Sequence, residues 1–198
     1  MIRVENFKTL PAGYEKTLEI DLQKNKKLML GVNLGALAVA LVMIAAALPF
    51  VPIATLFDMS QGFTVYFLRA LALLAGSVVY IILHELVHGI FMKRFSGVKP
   101  HYGFTLMYAY AGSTAYFGKK SYIIISLAPV VIWGIVLGVL CAALPESWFW
   151  VVYFIQIANI SGAAGDDYVT YKMLTLPKDI LVNDTGVAMT VYVKEEKS

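Results

Sequence analysis

The sequence predicts an all-α membrane protein with four transmembrane helices. Its composition and its four long apolar stretches predict this. Of 198 residues, 59% are hydrophobic and only 15% are charged, and the mean hydropathy is +0.71. Soluble domains carry about 45–50% apolar and about 25% charged residues. The composition excludes a disordered chain and an ordinary soluble globule. The single Cys141 excludes an internal disulfide scaffold. A formal charge of +3 is too small to imply a nucleic-acid partner.

A span needs about 20 mainly apolar residues. No charged side chain occurs from Leu28 to Phe57, so the first helix is expected over Leu28 to Leu48. Pro49 and Pro52 follow, and proline ends a helix by removing a donor and clashing with the preceding turn. This run is too long for the core of a cleavable signal peptide. The second stretch, Tyr66 to Phe95, contains charged residues. The third is uncharged from Ser121 to Pro145, and the fourth runs from Trp148 to Leu174, uncharged up to Asp166.

Basic residues mark the cytoplasmic side of a membrane. Arg3, Lys8, Lys16, Lys24, Lys26 and Lys27 precede the first helix. Lys93, Arg94, Lys99, Lys119 and Lys120 follow the second, and Lys172 and Lys178 follow the fourth. The intervening loops, Val51 to Thr64 and Pro145 to Ser147, have none. The expected protein is therefore a multi-pass cell-membrane protein with both termini cytoplasmic. Arg69 is expected to snorkel to the outer headgroups, and Trp148 and Trp150 to sit at the outer interface.

The remaining pieces are polar or mixed. Tyr14 to Leu22 alternates partly and reads as a strand or a surface helix. Asp179 to Val182 and Val187 to Val193, with Asn183-Asp184-Thr185-Gly186 between them, predict a small C-terminal strand pair. Tyr102 to Phe117 is aromatic and uncharged and has two glycines. It predicts a short hairpin or a re-entrant segment between helices 2 and 3. Residues 1–174 form the expected intramembrane domain with its cytoplasmic N-terminal segment, and 175–198 a cytoplasmic tail.

The second helix carries His84-Glu85-Leu86-Val87-His88. Residues i and i+4 of a helix share a face, so both imidazoles can reach one metal. Glu85 lies beside them, where it can reach a water. Two His and a Glu at this spacing are the zinc metalloprotease arrangement, with Glu85 as general base. Ionisable residues inside membrane helices are costly and mark function.

A catalytic zinc normally takes three protein ligands. Asp166 is the favoured third, and Asp167 the alternative. His88 lies five residues before Lys93 and Asp166 six before Lys172, which places both about 8–9 Å inside their basic anchors. Asn159 and Asp166 are seven residues apart and share a face of a continuous helix, which makes Asn159 a candidate substrate or oxyanion contact. Gly162, Ala163, Ala164 and Gly165 would allow close helix approach. His101, in the following loop, is read as an interfacial side chain.

These residues resemble a known family. The His84–Gly89 motif, Lys99-Pro100-x-Tyr102-Gly103-Phe104, Leu127-Ala128-Pro129, Asn159 and Gly165-Asp166 look like the bacterial zincin peptidases grouped as a domain of unknown function. That family is similar to the site-2-type intramembrane metalloproteases. The resemblance implies His84, His88 and Asp166 as zinc ligands and Glu85 as base. The site-2 pattern has Asn-Pro and Asp-Gly around its Asp, whereas the order here is Gly-Asp.

The expected activity is that of an intramembrane zinc metalloprotease. It would cleave membrane-anchored peptides or proteins near the cytoplasmic face, with Zn2+ as cofactor and the lipid bilayer as surroundings. The alternative is a non-catalytic zinc-binding membrane protein, or a scaffold with a degenerate zincin site.

Overall fold

The computed structural model describes residues 6–105 and 108–195. Arg3, Leu106 and Met107 of the aromatic segment, and the last three residues of the tail, lie outside the described residues. The elements in chain order are β1 (Asn6–Phe7), β2 (Tyr14–Ile20), α1 (Lys26–Ala47), a 3-10 helix (Ile53–Phe57), α2 (Phe63–Ser96), β3 (His101–Phe104), β4 (Ala109–Gly112), β5 (Tyr116–Gly118), α3 (Lys119–Ala143), α4 (Glu146–Gly162), α5 (Ala164–Thr175), β6 (Ile180–Asp184) and β7 (Met189–Lys194).

The fold is not all-α, and the four-span expectation is corrected. A five-stranded antiparallel sheet has the order β1-β5-β6-β7-β2, and β3 and β4 form a separate two-stranded sheet. The tail strands do pair with each other, but they are central strands of the larger sheet. An isolated hairpin is marginal in water, and further strands with an apolar face make it stable. Here β1, β2 and β5 supply those strands. β2 resolves the ambiguity at Tyr14 to Leu22 in favour of a strand, paired with β7 from Tyr14↔Lys194 to Ile20↔Met189.

Three helices among the described residues are long and apolar enough to cross a membrane: α1, α2 and α3. The fourth expected helix is two elements. α4 ends at Gly162, Ala163 leaves helical geometry at φ −78°, ψ 8°, and α5 starts at Ala164. The physical reason lies in the polar half. Asp166 and Asp167 stand in the first turn of α5 and Lys172 in its last, where each complements the dipole of a separate short helix. A side chain at Gly162 would meet nothing within 4 Å.

The chain divides into two compact units. One comprises residues 1–30, 85–129 and 166–198, and the other 31–84 and 130–165. In the first unit the sheet packs on helix ends. Ile180, Val182, Met189 and Val191 share a core with Met92 of α2, Tyr122 and Ile125 of α3, and Met173 of α5. That core fixes the end of α2, the start of α3 and α5 on one support.

In the second unit Tyr80, Leu137, Val152 and Ile155 form the buried cluster. Arg69 does not snorkel. It is 1% exposed, and its guanidinium donates to the carbonyls of Thr55, Asp58 and Ser147. Trp150 is buried and donates to the Pro52 carbonyl at 3.1 Å. Most large apolar side chains of α1 face outward, among them Leu30, Leu34, Leu37, Leu41 and Val42, as suits a helix surrounded by lipid.

Candidate metal centre

α2 has 34 residues, a length of about 51 Å at 1.5 Å per residue. It exceeds the hydrocarbon thickness of about 30 Å. Near its C-terminal end, one turn presents His84, Glu85 and His88 with ligand atoms all within 4.8 Å of one another. Both imidazoles are buried. These three side chains lie close enough together that they could hold a metal ion.

His88 is held from one side. Its Nδ1 lies 2.8 Å from the carbonyl oxygen of Ile125. A carbonyl only accepts, so Nδ1 donates a proton to it, and the lone pair of the neutral ring is then on Nε2. That carbonyl is free for a reason visible in α3. Pro129 stands inside the helix, four residues after Ile125, and has no N–H to close the intrahelical bond. His88 Nε2 lies 3.5 Å from Asp166 Oδ2. Ser126 Oγ donates to the Asp166 carbonyl at 3.1 Å and so ties the first turn of α5 to α3. Asp167 is exposed.

A second carboxyl stands in the same unit. Asp184 accepts from the Tyr122 hydroxyl at 2.5 Å and from the Gly186 N–H at 2.7 Å. Burial pushes its carboxyl above the ordinary range, against those two donors. Tyr102 of β3 crosses α2 just past His88. A Cβ on Gly89 would lie 2.0 Å from its hydroxyl oxygen, so any other residue there would make the tyrosine ring shift. Burial, and then the charge of Glu85, raise the Tyr102 hydroxyl. His101 is exposed on β3, with Nε2 3.2 Å from the Thr185 carbonyl.

In the other unit His84 Nδ1 lies 2.9 Å from the Tyr80 hydroxyl. That hydroxyl donates to Asn159 Oδ1 at 3.0 Å. Asn159 is completely buried, and its Nδ2 donates to the Val130 carbonyl at 3.1 Å. Asn159 and Asp166 do not share a continuous helical face, because the chain breaks at Ala163 between them.

The donor set fits zinc. Two imidazoles and a neighbouring carboxylate are its usual ligands, and outer hydrogen bonds to the distal ring nitrogens are the usual supports of ligating histidines. Sequence reasoning missed both of these supports, Tyr80 and the Ile125 carbonyl. Tyr80 had a signal in its spacing, four residues before His84. Ile125 had one in the proline four residues after it.

No curated protein and no solved structure matches the chain. A family model described as "Putative zincin peptidase" matches residues 77–181, more than half of the chain. The match contains the His84–Glu85–His88 turn, β3 to β5, α3 to α5 and Asp166. On the cluster of α2 and this match, the chain belongs to that zincin peptidase family.

Proposed function

We propose that the protein is an intramembrane zinc metalloprotease that hydrolyses membrane-anchored peptides near the cytoplasmic face. The observation that carries this reading is the His84–Glu85–His88 turn on a helix apolar enough to cross a membrane. His84, His88 and Asp166 are the proposed ligands. The 3.5 Å approach of Asp166 to His88 favours it over the exposed Asp167.

Zinc, when bound, supplies Lewis-acid polarisation of the scissile carbonyl and of a water. Glu85 takes a proton from the attacking water and passes it to the leaving amine. His88 is oriented through its bond to Ile125. A helical substrate has its amides engaged and must be extended before attack. Among the described residues β3 pairs only with β4, so its other edge is open to strand addition. Tyr102 brings that edge beside Gly89, one residue past His88. Pairing of β2 with β7 joins both ends of the chain in one sheet, which supports termini on the same, cytoplasmic side.

Zinc per chain in detergent-purified protein tests the ligand set. Wild type and Asp167→Ala are expected to hold about one zinc, and His84→Ala and Asp166→Ala to lose it. No zinc in wild type, or equal zinc in all four proteins, would overturn the metalloprotease reading.

A further inference from the structure

The hydrogen bonds around Asn159 have only one consistent set of directions. The Val130 carbonyl is an acceptor, so the nitrogen of the Asn159 amide faces it at 3.1 Å. The amide oxygen then faces Tyr80, and the Tyr80 hydroxyl spends its single proton on that oxygen at 3.0 Å. Only a lone pair of Tyr80 is left for His84, 2.9 Å away. His84 Nδ1 must therefore carry a proton, and the lone pair of the neutral ring is then on Nε2. All four residues belong to one compact unit. Tyr80 and His84 are buried, and Asn159 has no exposed surface, so water does not compete for these bonds.

We infer that Tyr80 and Asn159 are positioning residues that lock His84 in the tautomer whose Nε2 can bind zinc. This rests on the zinc reading of His84. It gives Asn159 a part that acts through Tyr80, and no contact with substrate. A neutral imidazole without such a partner can protonate either nitrogen. Half of a ligand pair would then point an N–H at the metal. Outer partners of this kind change metal affinity by about 10–100-fold.

The chain has three histidines, so 15N spectra of histidine-labelled, metal-free protein resolve His84 by comparison with His84→Ala. In wild type its Nδ1 is expected to be protonated. In Tyr80→Phe, which removes a single hydroxyl, that preference is expected to vanish while the His88 signals stay in place. Zinc affinity, read by competition with a chromophoric chelator, should fall about 10–100-fold. Asn159→Leu should act in the same direction.

A wild-type His84 protonated on Nε2 overturns the inference. So does a Tyr80→Phe protein that keeps the Nδ1 proton, whether or not its affinity falls, and so does a lost preference with unchanged affinity. Wild type that binds no zinc overturns the metalloprotease reading itself and this role with it. Zinc held equally tightly by wild type and Tyr80→Phe overturns the inference alone.

Discussion

Glu85 shares one helical turn with two buried histidines, yet the chemistry asked of it differs from theirs. A ligand is needed to hold metal, whereas a general base is needed only to move a proton. Glu85→Gln keeps size and polarity and removes the basic oxygen. It is expected to retain about one zinc per chain and to lose about 10²–10⁴-fold in metal-dependent peptide cleavage. Zinc content measured beside cleavage rate checks both halves. Zinc retention with undiminished cleavage would remove Glu85 from the reaction. The histidines could be identified from sequence because 3.6-residue periodicity alone brings i and i+4 together. The partner of His88 is a carbonyl of α3, 37 residues on, and Tyr80, the partner of His84 from the turn before it, is itself held by Asn159 of α4, 79 residues on.

At the scale of elements, α3 shows how a defect in one helix serves another. Pro129 costs α3 an intrahelical bond, and the released Ile125 carbonyl holds His88 at 2.8 Å. Pro129→Ala restores an N–H that competes for that carbonyl. Zinc affinity is expected to fall about tenfold, with no loss of thermal stability in the metal-free protein. Chelator competition and thermal unfolding of the apoprotein check the two signs, and unchanged affinity would show that the carbonyl serves both donors.

The turn from β2 into α1 carries a separate prediction. Asp21 Oδ1 accepts from the N–H groups of Gln23 at 2.9 Å and Lys24 at 3.0 Å, and the Lys24 ammonium lies 3.2 Å from Oδ2. The Lys24 N–H above all, against the opposing effect of burial, holds the Asp21 carboxyl below its usual range. A depressed folded-state value means that its stabilisation is complete above the unfolded pKa of about 3.9. It is lost as pH falls through the folded value. The unfolding midpoint of wild type should therefore drop more steeply below about pH 4 than that of Asp21→Asn. Parallel curves would show that this turn contributes nothing to acid sensitivity.

For the whole molecule, the strands from the two chain ends are the main departure from the sequence reading. Short segments at residues 6–7, 14–20, 116–118, 180–184 and 189–194 join one sheet. Leu181, Val182 and Val191 are buried in it. A chain ending before Ile180 loses two interior strands and part of the core that also holds Met92, Ile125 and Met173. Such a truncation is expected to abolish recovery of monodisperse protein in detergent and to abolish zinc binding. Size-exclusion chromatography with metal analysis checks it. A monodisperse, zinc-binding truncation would show that 175–198 is a dispensable tail.

The sequence by itself determined the apolar helices and the His84–Glu85–His88 turn. Both depend on local quantities, namely hydropathy over some 20 residues and the period of one helix. It also placed the tail strands and their turn. Tertiary structure decided where the fourth apolar stretch ends, because a break at Ala163 leaves no gap in hydropathy when small residues flank it. It decided that the isolated hairpin of the sequence reading is part of a sheet, because partner strands lie far apart in the chain. It also decided which ring nitrogen of each histidine is held by the protein. That choice depends on a carbonyl and a hydroxyl aimed from neighbouring turns, and hydrogen-bond direction exists only once the chain has folded.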